Sequence, residues 1–424
     1  MKLRNSLMRV LRLAGALLFA IPALGANCVA PGCSPWVATW GTAMVDAGSN
    51  GSPDLSQETI RMVVHTSVGG PQVRIWLSNR FGTVPLRIDA AHVALSAESN
   101  PAGGPADVSA IRAGTDRVVT FDHLASVVIA PGSTIVSDPV ALDVPALSNM
   151  AVSLYMPDRT LGSTIHGGAN QTSYAMPGNL VDAPQMPATS WTRNSWYFLT
   201  GIDVYAPGKS AVVAYGDSIT DGNHSTVNGN HRWPDYLAAR LAADEATAKA
   251  GVLGVVNTGI SGNRVLLDGD GPNAMARLDW DVLSRSGVRT LILFHGINDI
   301  EYVTRFRQSY QDLVKRLAAA LTQITTQAHD HGIRVLGATQ MPDCQPPGCR
   351  MPQNEVVRTA LNQWIRTTDV FDGLIDFDLV TRDPAEPRLL WSKYNSGDNV
   401  HPNDAGYKAM SDAIDLTLFT KSPK

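Results

Sequence analysis

The rhythm of apolar residues changes once along this chain, at Ala206-Pro-Gly-Lys209, and that change limits the fold more than any single motif does. From Trp36 to about Tyr205, short runs with a period of two are broken by Gly, Pro, Asn and Asp; examples are 59–67, 72–78, 91–96, 126–129 and 150–155. A period of two sends alternate side chains to opposite faces of a strand, so this stretch reads as an all-β sandwich, jelly-roll-like. Beyond the linker, apolar strands at 210–215, 254–257, 290–295, 334–339 and 374–377 alternate with amphipathic helices at 233–246, 274–285, 305–329, 354–367 and 404–419. Strands that are apolar throughout are buried on both faces, and their alternation with helices makes the sheet parallel and covered on both sides. The expected organisation is a β-sandwich over 36–205 followed by an α/β domain over 210–424.

A length of 424 residues exceeds one ordinary core, and 44% hydrophobic residues suffice for two. The net charge of −4 leaves no basic surface for nucleic acid, so polyanionic partners are not expected. Residues 1–25 carry Lys2, Arg4, Arg9 and Arg12, then an apolar run from Leu13 to Leu24 and small residues at Ala23-Leu-Gly25. That order is the pattern of a cleaved secretory signal peptide, and the run is shorter than the roughly 20 residues of a membrane span. An exported protein, periplasmic or secreted, with no stable membrane insertion after cleavage is the expectation.

The four cysteines fall in two pairs of equal spacing, Cys28 with Cys33 and Cys344 with Cys349, each with Pro-Gly between. In an exported chain, local disulfides are the natural reading. Zinc is the alternative, but a four-residue spacing with no nearby histidine is a poor ligand set. No metal site and no cofactor are expected from the sequence.

Four fragments carry the chemistry, and each follows an expected strand or precedes the last helix. They are Ala214-Tyr-Gly-Asp-Ser218-Ile-Thr220, Asn257-Thr-Gly-Ile-Ser-Gly262, Gly296-Ile-Asn298-Asp299 and Asp398-Asn-Val-His401. In an open parallel sheet, ligands gather at the carboxyl ends of the strands, so these segments share one crevice. A serine hydroxyl is a poor nucleophile until a base takes its proton, and the base needs a carboxylate to fix its tautomer. His401 and Asp398 supply both to Ser218. The same segment also reads as a helix cap, with Asn403 or Asp404 at the N-cap, and the two roles are compatible. A tetrahedral intermediate needs donors aimed at its oxyanion, and the backbone N–H of Gly262, the amide of Asn298 and the N–H of Ser218 are the candidates. Taken singly, Gly262 would be a turn residue and Asn298 a loop cap.

These blocks resemble those of the SGNH, or GDSL, hydrolases, with Ser218, Gly262, Asn298 and His401 as the four named positions. The resemblance runs from about Ser210 to the C-terminus. It implies a flavodoxin-like three-layer α/β/α domain and a serine esterase without metal, in which Ser218 is nucleophile, His401 base and Asp398 its orienter. It also implies Ser218, Gly262 and Asn298 as the oxyanion hole. Ser218 lies in Gly-Asp-Ser-Ile-Thr, which excludes the Gly-x-Ser-x-Gly elbow of the α/β-hydrolases at this serine. The segment 391–398 and Gly296-Ile-Asn-Asp-Ile300 are similar to a subgroup of secreted arylesterases and acylhydrolases, some linked to xylan degradation.

Other polar residues have ordinary readings beside functional ones. Asp217 is expected to tie down the turn, and His224 and His231 to flank an exposed loop over the crevice. His295 reads as a core histidine, and His329 and His331 sit at a helix end, where a cation suits the dipole. The glycine-rich segment 165–174 reads either as a substrate-facing loop or as plain surface, and Trp191 and Trp196 as packing residues or sugar platforms. The expected function is hydrolysis of short acyl esters, acetyl esters of carbohydrates above all. The alternatives are a general short-chain arylesterase or lipase, and a carbohydrate-binding protein with a vestigial hydrolase domain.

Overall fold

The computed structural model describes residues 34–97, 109–305, 309–345 and 352–420. The signal peptide over 1–25 and the cysteines Cys28, Cys33 and Cys349 lie outside these residues; Cys344 is described and is buried. No helix among the described residues is long and apolar enough to cross a membrane.

The first region is antiparallel throughout its two large sheets. In one, Trp36–Gly41, Leu199–Tyr205, Gly70–Ser78 and Val140–Val144 lie side by side, and Thr134–Val136 also pairs with Gly70–Ser78. The other runs Trp191–Arg193, Ser173–Pro177, Glu58–His65, Asn149–Met156, Ala90–Leu95, Arg117–Val118. Val140–Val144 shows the alternation of a strand with one wet face, whereas Glu58–His65 is buried on both faces along most of its length. Each of the five strands expected here is present to within two residues at either end.

The second region holds five parallel strands, β1 (Ser210–Gly216), β2 (Val252–Asn257), β3 (Val288–Phe294), β4 (Arg334–Ala338) and β5 (Gly373–Ile375). Their spatial order is β2-β1-β3-β4-β5, the flavodoxin-like doubly wound order, with its switch point between β1 and β3. Alternation along β1 divides the core. Val212 and Ala214 pack with Trp233, Leu237, Tyr407 and Met410 on one face. Val213 and Tyr215 pack on the other with Leu317, Leu321 and Leu361 from the helices Tyr310–Asp330 and Pro352–Thr367.

Four expected helices are shorter than their periodicity suggests: that over 404–419 is helical at Asp404–Asp412 and again only at Thr417–Thr420, that over 305–329 starts at Tyr310, and two others are broken by polar residues. The stretch 274–285 opens in a turn and is π-helical only over Asp279–Leu283; buried Arg277 donates there to Thr258 O, outside the stretch, and to Asp281 within it. The helix expected over 233–246 stops at Ala243, where Asp244 turns its carboxylate onto Thr247 N and starts a new one.

The change of rhythm at 206–209 separates two architectures but not two cores. One cluster of buried apolar residues runs from Val37, Ala38 and Ile202 into Val213, Val256 and Leu291. The exposed edge of β2 is covered by the first region: Val255 N donates to Ser67 Oγ at 2.8 Å, and Ser67 Oγ donates to Thr39 O at 2.6 Å. The approach is so close at Gly254 that a Cβ there would lie 2.6 Å from Ala38 O, which only glycine allows.

Candidate active site

Ser218 starts a four-residue helix directly after β1, and Gly222 closes it in the left-handed conformation at φ 96°. Asp217 is its N-cap, accepting from Ile219 N at 3.1 Å. Burial pushes the Asp217 carboxyl up to about 7, against the pull of that one hydrogen bond. Asp217 is thereby a turn-holding residue, as its place in the sequence suggests.

His401 Nε2 lies 2.8 Å from Ser218 Oγ, and His401 Nδ1 lies 2.5 Å from Asp398 Oδ2. The second carboxylate oxygen of Asp398 accepts from the backbone N–H of Val400 and His401 at 2.9 and 2.8 Å. Burial alone would raise Asp398, but the His401 ring and these two amides outweigh it and hold the carboxyl at about 2. The three-residue spacing therefore works as a turn whose carboxylate binds both the backbone and the ring of the same histidine. Asn403, two residues on, caps the next helix through Gly406 N, so capping and the positioning of His401 share this loop.

Gly262 follows β2 in the left-handed region at φ 74°, and a Cβ there would meet the Asp270 carboxylate at 2.1 Å. Asn298 stands in the first turn of the helix Ile297–Arg305 after β3, and its Nδ2 donates to Asn263 O at 3.0 Å. One side-chain N–H thus ties Asn298 to the residue after Gly262, and the other stays available. Asp299 strengthens the tie by accepting from Val265 N and Leu266 N at 2.8 and 2.9 Å. Burial raises its carboxyl to about 6 despite those bonds.

Residues 214–409 match the model of the GDSL-like Lipase/Acylhydrolase family. The C-terminal half is thus similar to GDSL-type acylhydrolases. No curated protein matches the chain. Among solved structures it is similar to a lipolytic protein of the G-D-S-L family from Desulfitobacterium hafniense, at 20% identity and TM-score 0.37, over 48% of this chain and 97% of that one. It is similar also to the aryl esterase of M. smegmatis, at 18% identity and TM-score 0.35, over 48% and 95%. A carbohydrate acetylesterase family member from Sinorhizobium meliloti is similar at 17% identity and TM-score 0.37, over 50% and 99%.

Behind the candidate site lies a polar hub that no motif announces. Arg277, fully buried, donates to Gly216 O, Thr258 O and Asn263 Oδ1 at 2.9, 2.8 and 3.0 Å, and pairs with Asp281 at 2.8 Å. One guanidinium so fixes the ends of β1 and β2 against the Gly262 loop. Its Nη2 also lies 3.2 Å from His295 Nε2; burial and that cation push His295 well down, so the ring is neutral and accepts. His295 is a core histidine in contact with the hub.

The loop after Ser218 is held more firmly than its Gly and Asn content suggests. Thr226 binds Asp404 through both N and Oγ1, at 2.9 and 2.6 Å, and His231 Nδ1 lies 2.7 Å from the same carboxylate. Tyr407 OH donates to Asn223 O at 2.6 Å. His224, expected as an exposed loop residue, is half exposed, but its Nε2 reaches Asp398 Oδ2 at 3.2 Å. Its signal in the sequence was only its place six residues after Ser218.

The segment 165–174 of the β-region is neither open surface nor substrate rim. His166 is buried, with Nδ1 donating to Ala43 O at 2.8 Å and Nε2 2.9 Å from Asp221 Oδ1, on the short helix that Ser218 starts. Asn170 Nδ2 donates to Gly222 O at 2.6 Å, and Asp221 Oδ2 accepts from Ser261 Oγ at 2.8 Å beside Gly262. Trp196 is buried and stacks on His166, so it packs the junction; Trp191 is half-buried and donates to Glu58. His329 binds Asp372 at 2.8 Å and His331 donates to Gln327 O at 2.8 Å, both at the end of Tyr310–Asp330.

Proposed function

We propose that the chain is an exported esterase that removes short acyl groups, acetyl above all, from carbohydrate hydroxyls through a Ser218–His401–Asp398 triad. The observation that carries the reading is the unbroken hydrogen-bonded line from Ser218 Oγ through both ring nitrogens of His401 to Asp398. Ser218 Oγ attacks the ester carbonyl carbon as His401 Nε2 takes its proton, and the Asp398 carboxylate stabilises the imidazolium. The oxyanion receives the N–H groups of Ser218 and Gly262 and the second amide hydrogen of Asn298. Collapse breaks the bond to the sugar oxygen, which leaves as an alcohol with the proton from His401. Water, activated by His401, then splits the acyl-enzyme and restores Ser218.

For the substrate class, the support is the polarity of the rim. Asn223 and His224 stand on the loop beyond Ser218, and Ser261 and Asp270 lie beside Gly262, with Ser261 Oγ 2.9 Å from Asn223 Oδ1. Such walls suit a hydroxyl-rich leaving group better than a long alkyl chain. The leader over 1–25 supports export to where acetylated polysaccharide is met.

The test compares acetate release from acetylated xylan with hydrolysis of p-nitrophenyl acetate, butyrate and decanoate, with Ser218→Ala protein as control. Release from xylan at a rate comparable to the small ester is expected. Preference for decanoate, or no release from xylan, overturns the carbohydrate reading. A Ser218→Ala protein that retains the full rate removes Ser218 as nucleophile.

A further inference from the structure

Folding brings together a donor set that no spacing in the sequence predicts. His224 Nε2, an oxygen of Asp398 and a ring nitrogen of His401 all lie within 4.8 Å of one another. Asp398 Oδ2 is the shared partner, 3.2 Å from His224 Nε2 and 2.5 Å from His401 Nδ1. The two imidazole rings stand 5.4 Å apart and 34° from parallel. We propose that His224, Asp398 and His401 form a reversible binding site for a divalent transition ion of zinc type, and that occupation of this site switches the triad off.

Two imidazole nitrogens and one carboxylate oxygen are a donor set of zinc sites, with the fourth position left to water. Ligands at about 2.0–2.1 Å from a tetrahedral ion stand roughly 3.4 Å from each other. The His224–Asp398 pair already has nearly that separation. The short His401–Asp398 contact must open by a small turn of the carboxylate as the ion takes the place of the shared proton. The His224 side chain is 52% exposed, so an ion reaches the cluster from solvent.

The third ligand is held in place by its loop rather than by chance. His224 has a left-handed backbone at φ 66°, a conformation that costs a non-glycine residue. Tyr407 and Asp404 clamp the residues on either side of it, at Asn223 and Thr226.

The switch follows from the tautomer of His401. In the line to Ser218, Nδ1 carries the proton and Nε2 offers its lone pair to the serine hydroxyl. An ion bound at Nδ1 uses a lone pair on that nitrogen, so the ring proton must leave Nδ1 and sit on Nε2 instead. His401 then faces Ser218 as a donor and cannot accept its proton. His224 changes tautomer in the same way, giving Nε2 to the ion and keeping its proton on Nδ1, so no proton leaves either neutral ring. The loss of turnover rests on the function proposed above, whereas the binding does not.

The experiment is titration calorimetry of zinc chloride into the untagged full chain carrying Ser218→Ala, with and without His224→Gln. One ion per chain is expected, with affinity at least tenfold weaker when His224 is replaced. In the chain with Ser218 intact, zinc is expected to slow hydrolysis of p-nitrophenyl acetate, a chelator to restore it, and His224→Gln to raise the half-inhibiting concentration at least tenfold. Reading the ratio of rates with and without zinc removes any effect of the substitution on basal turnover. Zinc binding unchanged by His224→Gln, or no binding in the micromolar range, overturns the site. A chain that hydrolyses no ester but binds zinc through His224 keeps the site and refutes the esterase reading. An active esterase whose zinc titration ignores His224 does the reverse.

Discussion

In the α/β half, the groups aimed at the crevice hang from separate strand ends: Ser218 follows β1, Gly262 follows β2 and Asn298 follows β3. The β-region over 36–205 places no member of the triad or of the candidate oxyanion hole, yet His166 and Asn170 reach the far end of the nucleophile's helix. The α/β half acts by the direct geometry of the candidate site, and the β-region by holding the backbone on which Ser218 sits. The difference teaches that a segment can be polar, glycine-rich and buried because its partners lie in the other region. It also predicts different signatures when each side is broken.

The largest effect is expected from Ser218→Ala, which deletes one hydroxyl and should cut turnover by on the order of 10⁴ or more. Thermal unfolding of the variant should match the unaltered protein, and a shared loss of stability would mean that the hydroxyl is structural. Next comes Asn298→Ala. Loss of one oxyanion donor should lower kcat by about 10²–10³ with little change in KM. A change in KM alone would make Asn298 a substrate-binding residue.

On the β-region side, His166→Leu leaves the Asp221 carboxylate buried opposite a hydrocarbon. Both partners of this pair are only 4% exposed, and breaking such a pair costs about 3–5 kcal/mol. Denaturant unfolding should show that loss, while turnover of the folded fraction falls by about tenfold or less. A turnover loss as large as that of Asn298→Ala, with stability intact, would move the β-region into the chemistry and dissolve the contrast.

The smallest effect is expected from Asp217→Asn, and it appears as a pH slope. Burial holds this carboxyl at about 7 in the folded chain, above its unfolded value of about 3.9. The folded state therefore keeps a proton that the unfolded state has lost, so this group's contribution is present below about pH 4 and disappears as pH rises toward 7. Asparagine retains the cap on Ile219 N without the ionisation. The melting temperature of Asp217→Asn should fall less steeply across that range than that of the unaltered chain. An identical slope would assign the dependence to another buried acid, such as Asp299.

Much of this was legible in the residues. The strands of the β-region appear within two residues of the runs read from the sequence, because short apolar runs bounded by Gly, Pro, Asn and Asp mark strands whether one face is buried or both. The four motif blocks fall at strand ends and before the last helix because a doubly wound sheet exposes its loops at one end. The helix misjudged at 274–285 shows the limit: its apolar spacing fits a helix, but Arg277 has partners in Gly216, Thr258 and Asn263, three other segments. Periodicity carries no information about where a long cation will find its acceptors.

The sequence alone determined the change from antiparallel to parallel architecture, the order of the motif blocks and the pairing of Asp398 with His401, because each depends on local periodicity or on a turn of three residues. Only the tertiary structure decided that Arg277 joins two strand ends, that His166 braces Asp221 and that His224 meets the carboxylate already bound to His401. Those contacts join residues 55 apart or belong to a packed loop, and their energy arises from burial and exclusion of water, which exist only once the two regions close on each other.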